Sequence, residues 1–282
     1  MGLSLMASQI KKKLLITIFT FLFCCSLRAE EKSLLEWGMF IGHGGLADYP
    51  SSNEYRYRTL PFPYVNYHGE FFRSDNEHGT RLRFIKDVNF DFDLSFGGSF
   101  PTETDNNSAR AGMPKLDWTL EVGPRFLYYF YRDANWGNVR LGLPLRKSYA
   151  TNFQFTKEVG YLFSPTFQID KYNFLSKNLD LFFILTFNYF DEGEADYFFE
   201  IDPNYATSER NAYNAKQGLL SYDFSLTIKY QAEQKLFLLG TQYSDFSQSA
   251  NRDSFLHKTN SSLSYFIGFG WLLFESEEKV LN

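Results

Sequence analysis

Histidine is the side chain most used for acid–base and metal chemistry near neutral pH, and the chain holds four, His43, His68, His78 and His257. His43, His78 and His257 fall near one set of chain reversals, where Glu54, Glu77 or Asp253 would complete a cluster able to activate water or hold zinc. No two of these histidines have ligand spacing on one element, however, and no serine stands in a nucleophile turn. No enzyme activity, cofactor or metal is therefore expected. The run Asp191-Glu192-Gly193-Glu194-Ala195-Asp196 has the oxygen density for calcium or for bridging lipid phosphates through divalent cations. It lacks the Asp-x-Asp-x-Asp-Gly spacing of a calcium loop and reads as a solvated loop. Arg110, Lys115, Arg146 and Lys147 are placed for contact with lipid phosphates at a membrane rim.

A second set of charges follows a different rule. Along successive segments, one parity collects Arg81, Arg83, Arg125, Arg140, Arg146 and Lys229 against Asp91, Asp93, Glu121, Glu158, Asp180 and Asp223. The opposite parity is apolar and rich in rings, as in Phe90, Phe92, Leu94 and Phe96, or Leu179, Leu181, Phe183, Leu185, Phe187 and Tyr189. Such period-two alternation defines strands with two unlike faces. A balanced charged face reads as a hydrogen-bonded, ion-paired interior rather than a channel with a field of one sign.

What must hold these faces apart follows from composition. Aromatic residues make up 20% of the 282, with 32 Phe and 19 Tyr, and the net charge is −5. An acidic chain without a basic stripe is not a nucleic-acid binder. Only residues 14–27 form a long apolar run. Lys11, Lys12 and Lys13 precede that run and Leu27-Arg28-Ala29 follows it, the layout of a secretory signal peptide over residues 1–29. Both cysteines, Cys24 and Cys25, lie inside it, so the exported chain has no disulfide and depends on its fold alone. Residues 30–282 then read as one domain. A soluble sandwich would turn its rings into a core of limited volume, whereas nearly every long segment here carries an apolar row about 25 Å long, the height of a lipid-facing band.

The expected fold is therefore all-β: a transmembrane antiparallel up-and-down β-barrel. Twelve strands are expected, at about 35–43, 59–67, 69–74, 79–86, 89–100, 115–130, 137–148, 155–168, 178–190, 217–230, 236–247 and 259–273. Merging the short 69–74 with its neighbour would give ten. Short links fall on one side and the long links 44–58, 101–114, 191–216 and 248–258 on the other, matching periplasmic turns and external loops. Trp37, Tyr128, Tyr129, Phe130, Tyr131, Trp136, Tyr230 and Trp271 lie near strand ends and read as interfacial girdles. Outer-membrane lipid is the expected surrounding. The last strand, with Leu263, Tyr265, Ile267, Phe269, Trp271 and Leu273 on one face, is similar to the segment that the barrel-assembly machinery recognises.

Residues 37–72 resemble the opening signature of the MltA-interacting protein (MipA/OmpV) family: a glycine-containing strand, a Tyr-Pro-Gly-Ser-like loop, then Leu-Pro-x-Pro leading into an aromatic strand. The matching positions are Gly38, Gly42, Tyr49, Pro50, Ser52, Tyr55, Leu60, Pro61, Pro63, Tyr64, Tyr67, Gly69 and Phe72, with Ser51 where the family usually has Gly. Looser matches are Tyr197-Phe198-Phe199, Tyr213-Asn214-Ala215 and Asp253-Ser254-Phe255-Leu256. The resemblance implies a non-enzymatic outer-membrane scaffold that brings a lytic transglycosylase together with a peptidoglycan synthase. A porin-like channel or a surface adhesin is the alternative. In the residues themselves, Pro61 and Pro63 cannot donate to a ladder, so a strand that begins Leu60-Pro61-Phe62-Pro63 must tolerate unpaired positions at its rim or bend there.

Overall fold

The computed structural model describes residues 31–69, 72–75, 79–103 and 107–281. The expected leader, together with His78 and Glu77, lies outside them. Fifteen strand segments follow in order: β1 Glu31–Ser33, β2 Leu35–Ala47, β3 Tyr55–His68, β4 Phe72–Asp75, β5 Gly79–Lys86, β6 Phe90–Ser99, β7 Trp118–Asp133, β8 Gly137–Thr151, β9 Thr156–Phe163, β10 Thr166–Lys171, β11 Leu179–Phe190, β12 Gly218–Ala232, β13 Lys235–Asp245, β14 Ser261–Glu275 and β15 Lys279–Leu281. Among the described residues one α-helix, α1, spans Glu192–Phe199. No helix among the described residues is long and apolar enough to cross a membrane.

Segments β9 and β10 are one wall strand interrupted at Ser164-Pro165, since β8 and β11 flank both of them. Counted so, twelve antiparallel strands run in chain order from β2 to β14, and β14 pairs back onto β2 from Tyr265↔Gly45 to Glu275↔Glu36. The sheet is a closed transmembrane barrel. The segment with the weakest sequence signal, drawn at 69–74, is the four-residue β4. Alternation is kept because lipid and lumen ask for opposite side chains. Trp37, Met39 and Ile41 on β2 and Leu263, Tyr265, Ile267 and Trp271 on β14 are exposed on the outer surface. The residues between them point inward.

Below the β14–β2 seam, β1 pairs with β15 from Glu31↔Leu281 to Ser33↔Lys279. Leu34 N donates to Glu278 O at 2.8 Å and Ser276 N to Leu35 O at 2.8 Å. The acidic segment Glu275–Glu278 is therefore part of a ladder that joins the two ends of the chain.

At the opposite end the long links fold on one another. Tyr49, Met113, Leu116, Phe198, Phe199, Ile201, Phe246 and Leu256 form one buried cluster, with Phe199 and Leu256 at 0% exposure. The run Asp191–Asp196, expected as a solvated loop, opens α1 instead. Asp191 caps the helix by accepting from Glu194 N at 2.9 Å, and Glu192 in the first turn favours its N-terminal dipole. Ser51 supports this region from a left-handed conformation, φ 61°. Its carbonyl accepts from Lys258 N at 2.9 Å and Thr259 N at 3.0 Å, while its hydroxyl is buried without a partner. Both features favour glycine. Ser51→Gly is expected to raise stability by about 1 kcal/mol, read as a higher urea midpoint with an unchanged slope.

Candidate functional site

The interior has two unlike walls. On the strands β6 to β12 the inward charges pair across neighbouring strands. Arg125 grips Asp93 with two donors, Nε at 2.9 Å and Nη2 at 2.8 Å. Arg140 meets Asp170 at 2.8 Å with both side chains at or below 3% exposure, and Asp170 also accepts from Gln168 Nε2 at 2.7 Å. Arg146 reaches Glu121 at 3.3 Å and Ser95 Oγ at 3.1 Å, and Lys229 reaches Asp180 at 2.8 Å. Asp223 is held by amides instead, from Asn188 Nδ2 at 2.8 Å and Gln242 Nε2 at 3.2 Å. For Arg81 and Arg83 the backbone register alone is described: they stand opposite Ser95 and Asp93.

Glu158 does not join this wall. It pairs with Lys147 at 2.7 Å while itself 58% exposed. The cause is a register shift at Ser148/Tyr149, which leaves Val159 without a partner and reverses the parity of everything before it on β9. A second shift, at Tyr129/Tyr131, turns Arg132 inward. There Arg132 meets Asp91 at 2.7 Å and stacks over the Tyr129 ring at 3.7 Å. Tyr129, read from sequence as a girdle ring, is 2% exposed and donates to Asp91 at 3.2 Å. Neither Asp170 nor Arg132 was singled out by sequence, because both lie just beyond the strand ends drawn there.

The opposite wall, on β13, β14, β2 and β3, carries an apolar patch on its inner face as well. Tyr64, Leu236 and Leu272 are buried together, with Phe40 and Leu238 against them. Gly268 and Gly240 give this wall its depth: a Cβ at Gly268 would overlap the Phe40 ring, and one at Gly240 the Phe266 ring. The two rings therefore lie flat against the strands.

Over both walls sits the folded mass of external links. Arg110, expected at a lipid rim, is buried within it and donates to Phe198 O at 3.0 Å. Burial lowers its pKa to about 10, with Tyr49 acting in the opposite direction. Arg210, which sequence reading missed, donates to the carbonyls of Ala109 and Ala111, each at 3.0 Å, and of Tyr205 at 2.8 Å. These two guanidiniums tie link 100–117 to link 191–217 through backbone oxygens that no strand satisfies. Beneath them, burial pushes the Glu194 carboxyl up to about 7. Ser148 opposes the shift, while the charges of Glu121 and Asp191 add to it.

The three histidines among the described residues are scattered. His43 bonds Thr59 Oγ1 at 2.8 Å on the outer face, His68 bonds Ser33 O at 2.8 Å at the opposite end, and His257 bonds Asn260 at 3.0 Å in an external link. Among the described residues no group of three His, Cys, Asp or Glu could hold a metal.

Of the signature positions, Gly38 and Gly42 lie on β2, Tyr49, Pro50 and Ser52 in the first external link, and Tyr55, Leu60, Pro61, Pro63, Tyr64 and Tyr67 on β3. Gly69 follows β3 and Phe72 opens β4. Tyr49 Oη donates to Leu256 O at 2.9 Å, which ties the signature loop to the Asp253–Leu256 segment.

No curated protein matches the sequence. Among solved structures, the chain is similar to the CymD monoaromatic hydrocarbon channel at 9% identity over 88% of this chain and 90% of that one, with a TM-score of 0.38. It is similar also to the outer membrane protein OprG from Pseudomonas aeruginosa, at 14% identity over 89% of this chain and 100% of that one, with a TM-score of 0.26. Residues 41–273, from the middle of β2 almost to the end of β14, match the family described as MltA-interacting protein MipA, and the chain belongs to that family.

Proposed function

We propose that the protein is a non-enzymatic scaffold of the bacterial outer membrane whose periplasmic end docks a lytic transglycosylase and, beside it, a peptidoglycan synthase. Family membership carries this reading, since members are described by their interaction with MltA. The architecture is consistent with it. The external mouth is filled by the chain's own links, and the interior charges are spent on one another. The opposite end offers short turns plus the β1–β15 ladder, a two-stranded sheet whose outer edges can accept a further strand. A standard interface needs about 800 Å² per partner, more than one turn supplies, so several turns and the ladder must act together.

Cross-linking in intact cells tests the reading. With photoreactive groups placed in the turns 87–89 and 134–136, capture of a murein hydrolase or synthase is expected. Capture only through links 101–117 and 191–217 would support the adhesin alternative instead. The channel alternative is tested separately: purified protein in planar bilayers is expected to show little steady conductance, and large stable steps would count against a plugged barrel.

A further inference from the structure

The outer wall of a transmembrane barrel is covered by lipid, so a residue that breaks its apolar rows reports which part of a lipid it faces. Going up the outer face of β8 and β9, Leu145 pairs with Phe163, Lys147 with Tyr161 and Tyr149 with Glu158, and the two strands close at Thr151↔Thr156. Leu145 and Phe163 are exposed, as lipid-facing side chains are. One step higher, Lys147 meets Glu158 at 2.7 Å. Among the described residues this is the ion pair of the wall that faces outward, whereas Arg125–Asp93, Arg140–Asp170 and Lys229–Asp180 face the lumen.

Hydrocarbon could not hold this pair. More than half of the Glu158 side chain is exposed, and a carboxylate so open needs water or polar headgroups around it. Lys147 therefore stands at the level of the headgroups on the external side, directly above the apolar row of Leu145 and Phe163. The Tyr149 and Tyr161 rings flank its ammonium at 5.7 and 5.5 Å, so two side chains suited to a membrane interface enclose the charge. Glu158 takes one of the three ammonium protons. An open pair of this kind is worth little, so the carboxylate yields readily to a stronger anionic acceptor such as phosphate.

Above the pair, the turn between β8 and β9 displays rings that a solvated loop does not need. Phe153 and Phe155 are 78% and 77% exposed, and Phe153 holds φ 68°, a left-handed conformation that its side chain disfavours. Local hydrogen bonds enforce it: Thr151 Oγ1 accepts from Phe153 N at 3.0 Å, and Asn152 Oδ1 accepts from Gln154 N at 3.0 Å and from Phe155 N at 2.9 Å. Phe153 lies 6.1 Å from the Trp118 ring, which lies 5.1 Å from Phe100, so the turn extends a ledge of rings. Apolar side chains, then a cation, then open rings match an acyl chain, a phosphate and the C–H faces of a saccharide in the same order. We propose that the outer face of β8 and β9 binds a phosphorylated glycolipid of the outer leaflet, with an acyl chain on Leu145 and Phe163, a phosphate on Lys147 and the saccharide against Phe153 and Phe155. A glycerophospholipid supplies the first two groups but not the third. The site does not depend on what the periplasmic end docks.

The test measures lipid binding to the purified protein in detergent micelles by native mass spectrometry, with EDTA present so that no divalent cation bridges carboxylate to phosphate. Three probes are compared: a rough lipopolysaccharide that carries core sugars, lipid A with both phosphates, and phosphatidylglycerol. The lipopolysaccharide is expected to bind most tightly and phosphatidylglycerol least. Lys147→Gln, checked for folding by heat-modifiable migration, is expected to weaken the first two about ten-fold, through loss of one charge-assisted contact. Glu158→Gln breaks the same ion pair but is expected to strengthen binding, because it removes the competing carboxylate. Phe153→Ser combined with Phe155→Ser is expected to bring the lipopolysaccharide down to the affinity of lipid A. Equal binding of all three probes, equal losses in the Lys147 and Glu158 variants, or indifference to loss of the two rings would overturn the proposal.

Discussion

Arg140→Ala is expected to cost the barrel about 3–5 kcal/mol, the loss seen when one partner of a buried ion pair is removed. Among the described residues the pair is the most enclosed: Arg140 and Asp170 meet at 2.8 Å with side chains 3% and 0% exposed. Deleting the cation removes the guanidinium's charge from the carboxylate and leaves the amide donors of Gln168 and Asn138 in contact with it. Arg140→Met with Asp170→Leu removes both charges and is expected to recover most of the loss, since a well-packed apolar pair costs little in such a site. Urea unfolding in detergent, followed by tryptophan fluorescence, measures all three. Equal losses for the single and double variants would show that the guanidinium acts through packing alone.

The second large effect concerns pH. With its folded pKa raised from 4.5 to about 7, Glu194 stays protonated in the docked helix where the undocked helix releases the proton. Below 4.5 both forms are neutral and docking is at full strength. As pH rises to about 7, docking weakens by roughly 3 kcal/mol, because the buried carboxyl is forced to ionise beside Glu121 and Asp191. Hydrogen exchange of residues 192–199 is therefore expected to accelerate strongly between about pH 5 and pH 8, beyond the intrinsic base-catalysed trend. Glu194→Gln should abolish the excess. An identical pH profile in that variant would place the cause elsewhere.

Period-two alternation made the wall legible, because lipid and lumen impose opposite demands at every step of a strand. It failed where the backbone itself changed step. The shift beside Val159 moved Glu158 to the outside, and that beside Phe130 brought Arg132 in; one extra residue reverses a face without altering local composition. The external links were harder still. Nothing periodic marks Arg110 or Arg210 as internal donors, since their partners are carbonyls about 90 to 100 positions away in sequence. On β13, β14, β2 and β3 the inner face is apolar too around Tyr64, Leu236 and Leu272, so the alternation of apolar and charged residues did not mark that part of the wall.

The seam that closes the ring also dictates an order of events. It joins Glu36 to Glu275, and the terminal ladder continues it from Glu31 to Leu281, so the last ladder to form links the parts of the chain farthest apart in sequence. Until residues near 275 have been delivered, β2 is an unpaired edge with no partner to its left, and the whole sheet can exist only as an open, curling ribbon. Pairings between sequence neighbours, such as β7 with β8, can zip locally and early, whereas the seam carries the full entropic cost of loop closure. A C-terminal truncation that removes β15 would then leave the finished barrel's walls intact but slow its completion, a kinetic defect in a molecule whose resting structure looks normal.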